Sequence, residues 1–161
     1  MKCIACDNKK NLKRQKITSK YTQCGLDNVS LVGVDYLKCD QCGEEYFGFG
    51  DQEHLHSLIA KVLIKKDRPL IGKEFRFLRT YLGFSGRMLA KLIGYEPEHI
   101  SRIENDKSKI SSRLDVLMRS LVVNKLPDRD YDFHDWLLDE GKKSIQRIKI
   151  QSDKGQWKLA A

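Results

Sequence analysis

Two Cys-x-x-Cys pairs, Cys3 with Cys6 and Cys39 with Cys42, constrain this chain more than any other feature. Each such turn points two sulfurs at one centre, and two turns together supply the four soft ligands of a tetrahedral zinc ion. To bring the pairs together, residues 7–38 must fold back on themselves. They read that way: 16–24 and 29–38 are extended stretches around Gly25-Leu26-Asp27-Asn28, a hairpin turn. One pair alone suits a redox couple as well as a metal. Two pairs without a strand–helix–strand pattern around either favour zinc. Four sulfurs fill the coordination sphere and leave no position for a catalytic water, so the expected site holds one structural Zn2+ per chain. The fifth cysteine, Cys24, reads as a strand thiol. His54 and His56, two residues apart on a helical stretch, do not share a face and are not counted as ligands.

Length and patterning divide the remainder. The chain has 161 residues, of which 40% are hydrophobic and 32% charged, the composition of a folded protein rather than a disordered one. No apolar run approaches a membrane span and the first residues lack the apolar core of a signal peptide, so the expected location is cytoplasmic, with no membrane partner. The fold class expected is α+β: a small zinc-binding β-hairpin domain at 1–50, a connecting helix and linker at 51–69, a helical domain at 70–125 and a tail at 126–161. The connecting helix shows in Leu55, Leu58, Ile59, Val62 and Leu63, and Asp67-Arg68-Pro69 ends it. The tail reads as a short helix within 127–140, then a terminal β-hairpin in which Ile148, Ile150, Trp157 and Leu159 alternate across Asp153-Lys154-Gly155.

Net charge is +8, and residues 51–125 hold most of it, with 15 Lys and Arg against 9 Asp and Glu. An anionic partner is expected there. Within that stretch, GRMLAKLIGYEPEHISRIEN spaces its residues as a helix-turn-helix requires. Ser85 caps one helix, small Ala90 permits a close helix crossing, Gly94 takes the turn, Pro97 opens the next helix, and Ile100 plugs the space between the two. Laid in a major groove, the helix at 97–105 would present Glu98, His99 and Arg102 to base edges, with Arg102 donating two bonds to guanine and Glu98 accepting from cytosine. Ser85, Arg87, Lys107, Ser108, Lys109 and Arg113, at helix starts or in the following loop, would meet phosphates. Glu104 is assigned to an ion pair with Arg79. No Ser-His-Asp or Cys-His set and no glycine-rich phosphate loop is suggested, so the chain is not read as an enzyme. The competing reading is a zinc-stabilised adaptor whose helices contact only protein.

The opening MKCIAC, the hairpin ending in LKCDQCGEEYF and the stretch IGKEFRFLRTYLGFSGRMLAKLIGYEPEHISRIEN together resemble the YgiT-type zinc finger/helix-turn-helix proteins. That group includes MqsA-like antitoxins, and its second half belongs to the wider Xre/Cro family. The resemblance spans roughly residues 1–125. It implies that Cys3, Cys6, Cys39 and Cys42 hold zinc, that Arg102 reads bases, and that Pro97 and Glu98 form the Pro-Glu often found in these helices. It further implies an N-terminal domain that holds a toxin encoded next door. The helical domain would form a homodimer and bind a palindromic double-stranded operator, repressing its own transcription. Gly86 stands where these proteins commonly carry glutamine, and Ile103 where an aromatic is frequent.

Overall fold

The computed structural model describes residues 3–6, 12–125, 148–153 and 156–159. The helix expected within 127–140 lies outside the described residues. Among the described residues the chain forms two compact units: those up to Tyr21, Asp27–Leu55 and the terminal strands make the first, while Thr22–Leu26 and residues 56–125 make the second. No helix among the described residues is long and apolar enough to cross a membrane.

The first unit is a sheet organised around one strand. β2 (Val29–Cys39) pairs antiparallel along its length with β1 (Leu12–Lys20), from Leu12 opposite Cys39 to Lys20 opposite Ser30. The pairing skips a residue: Ile17 faces Val34 and Thr18 faces Val32, which leaves Gly33 as a bulge at φ +77°. Strand side chains alternate with period two, so this extra residue shifts the parity. Val29 and Leu31 are buried before it, Val34 and Tyr36 after it, and one face of β2 stays inward throughout. The other edge of β2 is shared. β3 (Glu45–Gly48) runs antiparallel beside Asp35–Lys38, and β4 (Ile148–Asp153) runs parallel beside Val29–Val32. β5 (Gln156–Leu159) pairs antiparallel with β4, Ser152 opposite Trp157.

The expected terminal strand pair is therefore present, and it belongs to the same sheet as β2 rather than to a separate tail. Its Ile148, Ile150 and Trp157 join Leu31, Val34 and Leu55 in the core of this unit. The Trp157 backbone N–H donates to His54 Nδ1 at 3.4 Å. The expected hairpin turn at 25–28 is preceded by a 3-10 turn, Thr22–Cys24, so Cys24 is not in a strand.

The described residues after β3 form five helices: α1 (Gln52–Ile64), α2 (Gly72–Tyr81), α3 (Gly86–Ile93), α4 (Pro97–Glu104) and α5 (Ser112–Lys125). In the second unit Ile59, Leu63, Phe75, Leu78, Leu89, Ile100, Ile103, Leu114, Met118 and Val122 form an apolar core, each at most 3% exposed. The connection between α1 and α2 is held from within. Arg119 of α5, fully buried, donates to the carbonyls of Ile64, Lys66 and Arg68 at 2.6, 2.9 and 2.7 Å. Its Nε donates to Asp115 at 3.0 Å, and the other oxygen of Asp115 receives the Leu70 N–H at 2.8 Å. Glu74, 1% exposed, accepts from Lys66 at 2.6 Å and from Arg68 at 2.9 and 3.0 Å. Burial alone would push the Glu74 carboxyl up. The Arg68 and Lys66 hydrogen bonds outweigh it and hold the group below its ordinary value. Asp67-Arg68-Pro69, read from sequence as a linker, thus has its neighbouring carbonyls tied down by buried groups.

Candidate functional site

The four paired cysteines converge. The Sγ atoms of Cys3, Cys6, Cys39 and Cys42 lie within 4.8 Å of one another, with Cys3–Cys42 and Cys6–Cys39 each at 3.6 Å. Sulfurs arranged tetrahedrally about an ion at about 2.3 Å stand about 3.8 Å apart, so the spacing fits a shared metal ion. One knuckle is built where β2 ends. The Gly43 N–H bonds the Cys39 carbonyl at 2.9 Å, and the Cys39 N–H bonds the Glu44 carbonyl at 2.9 Å. Cys3 and Cys39 are buried, Cys6 is half-buried and Cys42 is exposed, so one side of the cluster opens to solvent.

Tyr46 of β3 ties the first knuckle to the sheet. Its hydroxyl accepts the N–H groups of Ile4 and Ala5 at 3.1 and 3.3 Å and lies 3.3 Å from Cys3 Sγ. With both lone pairs engaged, its proton is directed at the sulfur. That hydrogen bond draws the Cys3 thiol down to about 6, where the thiolate a metal requires is favoured. The same contact pushes the Tyr46 hydroxyl up. Sequence reading does not single out Tyr46, because a strand of four residues shows no alternation long enough to read. Cys24, His54 and His56 take no part in the cluster. His54 instead receives the Trp157 N–H, and His56 stands edge-on to Phe77.

In the second unit, α3 and α4 are joined by a tight turn. Ser85 caps α3, its Oγ receiving the Met88 N–H at 3.1 Å. Gly94 ends α3 at φ +71°, a conformation that a side chain disfavours, and both Gly94 and Tyr95 return their N–H groups to the Ala90 carbonyl. Leu89, Ala90, Ile100 and Ile103 are buried beneath the pair. Pro97 occupies the first turn of α4. Opposite the core, Glu98 and Arg102 share an exposed face one turn apart. His99 is half-buried, its ring 5.1 Å from that of Tyr95. A concavity of about 320 Å3 is lined by Gly94, Tyr95, Glu96, His99 and Arg102, bringing His99 and Arg102 together, with Glu98 outside it.

The remaining residues assigned from sequence lie on α2, at the start of α3, at the end of α4 and in the loop after it, and on α5. Lys107 and Ser108 both return their N–H groups to the Arg102 carbonyl, at 2.8 and 3.2 Å, which fixes the loop to the end of α4. Lys107, Lys109, Arg87 and Arg113 are exposed, as is Ser85, while Ser108 is half-buried. Arg79 and Glu104 make a two-point ion pair at 2.5 and 3.2 Å, both side chains about nine-tenths buried. The third Arg79 nitrogen, Nη1, donates to the Phe84 carbonyl at 2.6 Å. Glu104 is therefore occupied and turned away from the exposed face of α4. Compared with models of protein families, with curated proteins and with solved structures, the chain matches none.

Proposed function

We propose that this protein is a sequence-specific DNA-binding repressor, stabilised by one structural Zn2+ at Cys3, Cys6, Cys39 and Cys42. The observation that carries the reading is the α3–α4 pair: a capped helix, a left-handed glycine turn, and a second helix with Glu98 and Arg102 on its exposed face and His99 half-buried, with exposed cations on α3, on α5 and in the loop after α4. Docking would begin with Arg87, Lys107, Lys109 and Arg113 displacing counterions from phosphates. Base readout would then fall to α4, with Arg102 as the bidentate donor to guanine. Glu96 and Glu98 lie at the positive end of α4, where their charge is favourable. In this reading the hydroxyls of Ser85, whose oxygen caps α3, and of Ser108 would donate to phosphates.

The resemblance to YgiT-type and MqsA-like proteins supports a biological setting for this chemistry: the antitoxin of a two-gene module, acting in the cytoplasm as a homodimer on a palindromic operator. The first unit, with its metal-held knuckles, is then the surface for a toxin. A second reading, an adaptor that contacts only protein, is favoured by one observation. Met88 and Leu92, one turn apart on α3, are 56% and 60% exposed, an apolar pair beside the proposed DNA face.

The two readings separate in one titration. Arg102→Ala is compared with the parent on DNA from upstream of the gene and on random DNA of equal length. A repressor loses about 1–3 kcal/mol on the upstream DNA and little on random DNA. Equal binding to both DNAs by the parent, or equal loss on both by the variant, rejects base readout by α4.

A further inference from the structure

Several charged groups around the helical core are already paired: Arg79 with Glu104, Lys66 and Arg68 with Glu74, Arg119 with Asp115. The concavity lined by Gly94, Tyr95, Glu96, His99 and Arg102 differs. Among the described residues, the Tyr95 hydroxyl, the Glu96 carboxylate, the His99 ring nitrogens and the Arg102 guanidinium have no hydrogen-bond or ion-pair partner. Four uncommitted side chains thus converge on about 320 Å3 of open space where α3 gives way to α4.

The walls of this space are set before any partner arrives. The Tyr95 N–H is fixed to the Ala90 carbonyl at 2.9 Å, and the His99 N–H to the Glu96 carbonyl at 3.0 Å. The two rings stand 5.1 Å apart and tilted by 33°, within the range of packed aromatic pairs, so each holds the other. Both residues are half-buried, and Arg102, exposed, lies one turn beyond His99.

This arrangement selects its ligand. An open hollow does not enclose a free small molecule, which pockets bury by about 70–90%. Glu96 repels a phosphate there. The fitting partner is the edge of a larger surface, and in the repressor reading that surface is the major groove. The C5-methyl of thymine is the one apolar group displayed on base edges there; the rest are donors and acceptors. Two aromatic rings beside a guanidinium therefore match a thymine next to the guanine taken by Arg102. We propose that this concavity is a thymine-specificity pocket, in which the C5-methyl of a thymine in the base pair adjoining that guanine packs against Tyr95 and His99. The inference rests on the repressor reading above. It gives His99 an apolar contact through its ring, and it gives Tyr95 a part in recognition.

The full, zinc-loaded chain is first used to select duplexes from a random pool. The selected half-site is expected to hold a guanine whose preference is lost in Arg102→Ala, with a thymine in an adjoining base pair. Replacing that thymine by deoxyuridine removes one methyl and no hydrogen-bonding group. The replacement is expected to weaken binding about fourfold, the worth of one buried methyl. In His99→Ala and Tyr95→Ala, each checked for a native circular-dichroism spectrum, the ratio between the two DNAs is expected to fall toward one. A merely structural role would weaken both DNAs equally and keep the ratio. Three results overturn the pocket and leave the repressor reading standing: a selected guanine with no thymine beside it, equal binding of both DNAs by the parent, or a fourfold ratio kept in both variants. Selection of no sequence at all removes the repressor reading, and this inference with it.

Discussion

At the residue scale, the most informative side chain of the metal cluster is one that holds no metal. Tyr46 accepts two N–H groups of the first knuckle and directs its proton at Cys3. Partners of this kind orient ligands, and their loss typically weakens a metal site by about 10–100-fold. Tyr46→Phe is expected to lower zinc affinity by that factor in competition with a chromophoric chelator, while all four sulfurs remain. The four cysteines were legible because spacing alone identifies them. Tyr46 was not, because a tyrosine gains meaning only once β3 is paired with β2. Glu74 makes a second test. Its carboxyl is held below the ordinary 4.5, so the folded state favours the charged form. The stability it contributes is present above the unfolded value near 4.5 and is lost as pH falls through the lower folded value. Glu74→Gln is therefore expected to be less stable than the parent at neutral pH in urea titrations, with the gap closing as pH falls below 4.5. A gap constant with pH would contradict the ionised Lys66–Glu74–Arg68 cluster.

At the scale of elements, local chemistry explains what could be read and what could not. The bounds of α3 and α4 were visible in Ser85, Gly94 and Pro97, each of which acts within one turn of its own position. The bulge at Gly33 was not, since a skipped residue declares itself only against a partner strand. The parallel pairing of β4 with β2 was equally hidden, because nothing in Ile148 or Ile150 says which strand they join. Two glycines of the helical unit give opposite expectations. A Cβ on Gly72 would stand 2.4 Å from the Ile103 carbonyl oxygen, where no side chain fits. A Cβ on Gly86 meets nothing within 4 Å, at the start of α3. Gly72→Ala should lower the urea midpoint by well over the effect of an ordinary surface change, as overpacking of a close crossing costs about 1–3 kcal/mol. Gly86→Ala should raise stability by about 0.5 kcal/mol through the unfolded chain. The reverse order would contradict the close approach of Gly72 to the end of α4.

At the scale of the whole molecule, the two units draw their stability from different sources. The helical unit has its own apolar core and a buried polar network around Arg119. The sheet unit ties its first residues to β2 and β3 through the cysteine cluster and Tyr46. Structural zinc contributes on the order of 10–16 kcal/mol of apparent binding energy in small domains. Chelation is therefore expected to remove β signal from the far-ultraviolet spectrum, loosen the knuckles to proteolysis and leave the helical signal largely intact. Loss of both signals together would contradict separate stabilisation. The positive charge gathered in residues 51–125 was read from sequence, and it coincides with the helical unit that carries the α3–α4 pair. The central claim is that this pair reads DNA. The most direct test is a DNase footprint of the zinc-loaded protein on the DNA upstream of its own gene, across a range of salt. The account predicts two protected half-sites about one helical turn, roughly 34 Å, apart, surviving excess random DNA. Protection that vanishes at moderate salt, or that random DNA removes, would contradict it.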